Sequence, residues 1–181
     1  MQLRIAKYLA VASVAAGAAA MLGAARAPAP AMSNANILAA IMQGDSLEVA
    51  MSKTGADSAK NMQVKHFAER MVTAHTKHMD EVKSTASQAK VTPELAPHDT
   101  ATADMARRMI DRLDATKPGA PRDRLLMSSE VDFHTQLLHS LDAVRGDATG
   151  PTKQLVERTL PVVRQHLADA RAIQRRLGTS S

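Results

Sequence analysis

Four ionisable residues stand where the helices of this chain should be apolar. Glu48 interrupts the stripe Ile37, Ile41, Gly44, Met51, Gly55, and His75 interrupts Val64, Phe67, Met71, Met79, Val82. His134 breaks Met127, Val131, Leu138, Leu141, and His166 breaks Leu155, Thr159, Val162, Ala170, Ile173, Leu177. All four stripes follow the three- and four-residue spacing of an amphipathic helix, and each interruption falls near the middle of its segment. Burying such groups is costly unless they are paired, hydrogen-bonded or bound to a metal. Three imidazoles and one carboxylate at one level are a suitable ligand set for a single Zn(II), Cu(II) or Fe(II) ion. Met51, Met71, Met79 and Met127 lie within one or two turns of these groups and would extend the choice to Cu(I), although methionine at helical spacing more often fills core gaps. His78, one turn from His75 and nearer the stripe's edge, is the substitute ligand, and His139 is expected outside. A metal-free polar core, hydrogen-bonded within itself, is the competing account.

The segments that must position these residues are set by their punctuation. Ser33 or Asn34 can cap a helix running to about Thr54, where Gly55 offers a stop, and Asp57 or Ser58 can start a second helix ending near Lys90. "VTPELAPHD" breaks the pattern, Asp99 or Thr100 opens a short helix to about Ala115, and "TKPGAP" ends it. A fourth helix runs from about Pro121 to Arg145, and after "GDATGP" the last runs from about Pro151 to Leu177 before "GTSS" frays. Antiparallel neighbours joined by short loops bring their midpoints to one level, so the four interruptions are expected to meet in the core of a bundle. Pro161 cannot donate to the carbonyl of Glu157, so a kink there would re-aim the turn that carries His166. The alternative is a helix that begins near Pro161.

Composition agrees with an all-α class. Cysteine is absent, and Tyr8, Phe67 and Phe133 are the only aromatic residues, so few strand-favouring side chains are present. Residues 1–31 read as a signal peptide and flexible lead: Arg4 and Lys7, an apolar run from Tyr8 to Ala25, then alanines spaced for cleavage after Ala25 or Ala31. An uncleaved anchor is the other reading of this run. The lead holds three basic residues, Arg4, Lys7 and Arg26, and no acid, so its removal lowers the net charge from +5 to +2. Nucleic-acid binding thereby loses its main support. Residues 32–181 form the expected domain, with no further run long enough to span a membrane. No phosphate-binding glycine loop or nucleophile elbow occurs, and no Ser, His and acid grouping emerges from the helix faces, which favours a non-enzymatic role. Haem would have to bind without the Cys-x-x-Cys-His attachment. A second class of function is a non-catalytic partner-binding or envelope stress-related module. In "DMARRMIDRLDATK" an apolar edge of Met105, Met109 and Leu113 is flanked by Arg107, Arg108 and Arg112 and could dock on an envelope partner or simply cap the bundle.

Two stretches carry a resemblance. "VKHFAERMVTAH" at 64–75 and "TLPVVRQH" at 159–166 resemble signatures of an exported bacterial ferritin-like family, the domain of unknown function 4142, whose members are described as predicted outer-membrane or periplasmic proteins. The matching residues are Phe67, Ala68, Met71, Val72 and His75 on one helix and Thr159, Leu160, Pro161 and His166 on the other, with Glu48 fitting a Glu common in the first helix. The resemblance implies a ferritin-like antiparallel four-helix bundle with one additional short helix, and a periplasmic or outer-envelope location. It implies no reaction. Ala74 and Phe133 stand where the family usually has an Asp before a histidine, which removes the expected support of those rings. Of the family's Phe-Asp-x-x-Tyr at the third long helix only Asp123 is matched, with Arg122 and Leu126 at the aromatic positions. A di-iron carboxylate centre is not expected: Glu-x-x-His is absent, Glu130 precedes His134 by four residues, and too few carboxylates point inward.

Overall fold

The computed structural model describes residues 31–95 and 101–179. The signal-like stretch, the opening of the short helix near Asp99 or Thr100, and Ser180 and Ser181 lie outside the described residues, as does the side chain of Met105. Five helices make up the chain: α1 (Asn34–Ser58), α2 (Met62–Ala89), α3 (Ala101–Ala115), α4 (Ala120–Val144) and α5 (Gly150–Thr179). No strand occurs among the described residues.

Local chemistry sets these limits. Ser33 caps α1 by accepting from the Asn36 N–H, and Asn61 caps α2 by accepting from Gln63 and Val64. α4 starts after Gly119, whose φ of 103° suits a residue without Cβ, and Pro121 sits in its first turn. Asp123 is buried and accepts from the backbone N–H groups of Lys60 and Asn61, so one carboxylate ties the α1–α2 turn to the start of α4. Arg122 donates to the carbonyls of Asp114 and Thr116 and closes the end of α3.

The apolar core is in two parts. Ile37, Leu38 and Ile41 of α1 pack with Val82 and Ala86 of α2, Leu141 of α4 and Leu155, Val156, Leu160 and Val163 of α5. Met51 of α1 packs with Val64, Phe67 and Met71 of α2, Leu126 and Met127 of α4 and Ala170, Ile173 and Leu177 of α5, and Leu113 of α3 joins them. Along α1 and α5 the first cluster precedes the second, whereas along α2 and α4 the order is reversed. The pairs α1–α2 and α4–α5 are therefore antiparallel, α2 packs against α5, and α3 lies on α1 within the long connection from α2 to α4. This is the expected four-helix bundle with an added short helix.

Three sequence expectations are corrected. Gly55 does not end the first helix: it lies inside α1, and a Cβ there would overlap Leu126 Cδ2 and sit 3.1 Å from Leu126 Cδ1. It is a close-approach glycine, and the second helix starts at Met62 rather than at Asp57 or Ser58 because Asn61 supplies the cap. Val162 is half exposed, while Val163 faces the core. The buried seam of α5 runs through Val156, Leu160, Val163 and Leu167, so the stripe drawn through Val162 is rotated to one side and His166 lies at the seam's edge.

Two glycines of α1 should then respond oppositely to alanine. Gly44→Ala places Cβ where nothing lies within 4 Å and should raise stability by about 0.5–1 kcal/mol. Gly55→Ala must displace Leu126 and should lower stability by about 1–2 kcal/mol. Urea unfolding of the two variants against the parent measures both.

Candidate metal centre

Between the two apolar clusters lies a polar layer to which every long helix contributes. α1 supplies Asp45, Glu48 and Ser52, α2 His75 and His78, α4 Glu130 and His134, and α5 Thr159 and His166. Glu48, Ser52, Glu130 and His134 are fully buried, Asp45, His75 and Thr159 nearly so, and His78 and His166 partly covered.

Three imidazoles form a near-equilateral triangle. Ring centroids are 5.8 Å apart for His75 and His134, 5.5 Å for His75 and His166, and 5.4 Å for His134 and His166. One nitrogen from each lies within 4.8 Å of the others. Their hydrogen bonds assign the free nitrogens. His75 Nδ1 donates to Asp45 Oδ1 at 2.7 Å, and His134 Nδ1 donates to the carbonyl oxygen of Glu130 at 2.8 Å. In the neutral ring Nε2 then carries the lone pair, and both Nε2 atoms, like His166 Nδ1, are buried without a hydrogen-bond partner.

A second group adjoins the first. Glu48, Glu130 and His134 each bring a ligand atom within 4.8 Å of the others. Ser52 Oγ lies 2.8 Å from Glu48 Oε1 and 3.0 Å from Glu130 Oε1, while Oε2 of both carboxyls has no hydrogen-bond partner and that of Glu130 lies 3.6 Å from His134 Nδ1. Of the buried, unpartnered side-chain nitrogens and oxygens among the described residues, all but Thr152 Oγ1 belong to this layer.

The layer's charges are held away from their ordinary states. Burial pushes Glu130 well above the usual carboxyl range, and the neighbouring Glu48 pushes it further. Burial lowers His134 against the attraction of Glu48. Burial, with His134 and His75 beside it, pushes His166 down to about 3. Asp45 shows the opposite balance: burial works to raise it, yet the hydrogen bonds from His75 and His78 hold it below its ordinary value. It is therefore an ionised acceptor that orients His75.

The structure brings His75, His134 and His166 together as the sequence suggests. It places Glu48 beside Glu130 and His134 rather than within the three-imidazole group, because Ser52, one turn along α1, engages its carboxyl. His78 is not free to substitute: its Nδ1 lies 2.9 Å from Asp45 Oδ2 and its Nε2 2.9 Å from Thr159 Oγ1. His139 is exposed, and Pro161 lies inside the continuous α5, so the helix does not begin there. Two inward carboxyls lie off the stripes. Asp45 and Glu130 sit one turn from Glu48 and His134, on the same helix faces, and both point inward. The support that Ala74 and Phe133 cannot give His75 and His134 comes instead from Asp45 on another helix and from the Glu130 carbonyl. Met51, Met71 and Met127 belong to the second apolar cluster, and the sulfur of Met79 accepts from Ser46, so these methionines act as packing groups.

The family model described as Domain of unknown function (DUF4142) matches residues 19–173. Among solved structures, the chain is similar to the bacterioferritin-related protein of Bacteroides fragilis, described as a dodecameric thioferritin. The TM-score is 0.61 at 12% identity, over 80% of this chain and 86% of that one. At that identity the likeness establishes a ferritin-like fold. No curated protein matches in sequence.

The depressed histidines have a consequence for the metal-free protein. An imidazole kept neutral by the fold contributes stability that is complete above its unfolded value near 6.5 and is lost as pH falls toward its folded value of about 3. Asp45 acts likewise below 3.8, whereas Glu130 withdraws stability as pH rises above 4.5. Thermal midpoints recorded in chelator should fall from pH 6.5 toward the carboxylate range, and fall less steeply in His166→Leu. Equal slopes in the two proteins would contradict a neutral His166.

Proposed function

We propose that this chain, which belongs to the DUF4142 family of domains of unknown function, is an exported envelope protein whose bundle holds one divalent transition-metal ion among His75, His134 and His166. The observation that carries this reading is the convergence of three imidazoles, each with a buried unpartnered nitrogen, two of them with the other nitrogen engaged by an acceptor. A histidine that donates to a carboxylate or carbonyl through one nitrogen presents the other, more basic, to a metal. Glu48, beside His134, offers a carboxylate to offset the ion, and a bound cation would favour the ionised form of Glu130 as well. Nitrogen and oxygen donors without thiolate suit Zn(II), Cu(II) or Fe(II). Export is supported by Arg4, Lys7 and the apolar run from Tyr8 to Ala25. Among the described residues no helix is long and apolar enough to cross a membrane.

Protein purified without a histidine tag and loaded with Zn(II), Cu(II) or Fe(II) should contain close to one ion per chain by elemental analysis. The ion should be lost in His75→Ala and His134→Ala. Asp45→Asn, which keeps the shape but weakens the acceptor for His75, should lower affinity about 10- to 100-fold with the fold retained. Failure to load any of the three ions would favour a hydrogen-bonded polar core in a partner-binding module. Finding residues 1–25 still attached to the protein in the envelope fraction would count against cleavage of the leader.

A further inference from the structure

Glu48 of α1 and Glu130 of α4 adjoin His134, while the side of the layer formed by His75 and His166 is open to a different kind of group. A cleft of about 400 Å³ runs between α2 and α5, and His75 and His166 both stand in its wall. Neither Glu48 nor Glu130 lines it. Its charged lining residues are Lys77, Arg158 and Glu81, so cations outnumber anions, while Ala74, Val162 and Val163 make much of the remaining surface apolar.

Of the three histidines in this wall, His78 is engaged by Asp45 and Thr159, and the other two differ in freedom. Asp45 fixes His75 through Nδ1, so that ring is held. His166 is only partly buried, lies at the edge of the α5 seam, and its inward Nδ1 has no partner. As ligands, imidazoles bring no charge of their own. They leave the charge of a bound divalent ion to be met on the side away from Glu48 and Glu130, where low-polarity walls strengthen attraction to an opposite charge. A metal with three protein ligands keeps a further position for an exogenous group.

We infer that the α2–α5 cleft admits a small anion that ligates the metal on its His75–His166 side, with Lys77 and Arg158 drawing it in. This rests on the metal reading above and adds to it the class of ligand and the face from which it comes. Compact anions are favoured, because the unpartnered nitrogens of His75 and His166 are themselves buried and a bulky ligand would be held off.

The full mature chain loaded with Co(II) offers a visible probe, since the absorption bands of that ion report its ligands. Azide should change the spectrum and saturate. Arg158→Gln, at full cobalt loading, should weaken azide about tenfold, the loss expected for one charged contact. Val162→Trp, which fills the half-exposed mouth, should weaken it further or abolish the change. A cobalt spectrum that azide leaves unaltered would overturn the inference while leaving the metal site standing. A response equal in all three proteins would overturn the cleft as the route. Cobalt that does not bind would remove the metal reading and this inference together.

Discussion

Everything in this bundle is arranged around the burial of one polar layer. Three fully covered ionisable groups, Glu48, Glu130 and His134, and two nearly covered ones, Asp45 and His75, occupy the middle of a core that has no cysteine to cross-link it and two phenylalanines as its only described aromatic residues. Each such group is unfavourable in a low-polarity interior unless its lone pairs and protons are met. The chain meets part of that demand locally, with Asp45 on His75, the Glu130 carbonyl on His134 and Ser52 between two carboxyls. The atoms left over lie together in the same layer. Apolar clusters on either side hold the layer closed, and the caps and the Asp123 tie fix the helices that aim it.

Much of this was legible from residue order, and the missing parts have physical reasons. His75, His134 and His166 were visible because each breaks an otherwise apolar stripe at mid-helix. Asp45 and Glu130 were not, since a stripe drawn through one residue per turn takes a single path along a buried face that is wider than that path. Their neighbours one turn away, Glu48 and His134, took the position in the pattern. Gly55 looked like a helix stop because glycine ends many helices, and only the nearness of Leu126 on another helix reveals its other use. Val162 was drawn inward because a three-residue step from Thr159 is as good a helical step as the four-residue one to Val163. The Asp45–His75 bond joins residues 30 apart on different helices, a pairing that no local spacing encodes.

Fold and site carry different information here. The bacterioferritin-related relative shares the arrangement of helices at 12% identity, which leaves most side chains free to differ. A bundle of this kind offers a level at which four helix midpoints meet, and what is placed there decides the chemistry. In this chain that level carries three imidazoles on one side and two carboxyls on the other, with His134 belonging to both groups.

The division of the apolar core into two clusters also bears on how the chain reaches its folded state. Each cluster draws on all four long helices, so neither can be completed by the α1–α2 hairpin or the α4–α5 hairpin alone. Both are finished only when the hairpins dock, and the same event strips water from the residues between them. The folding barrier therefore contains the dehydration of polar and ionisable groups in addition to the closure of the long connection through α3. A chain so built has no half-formed core to rest in, and its transition is expected to be slow for a helical bundle and all-or-none.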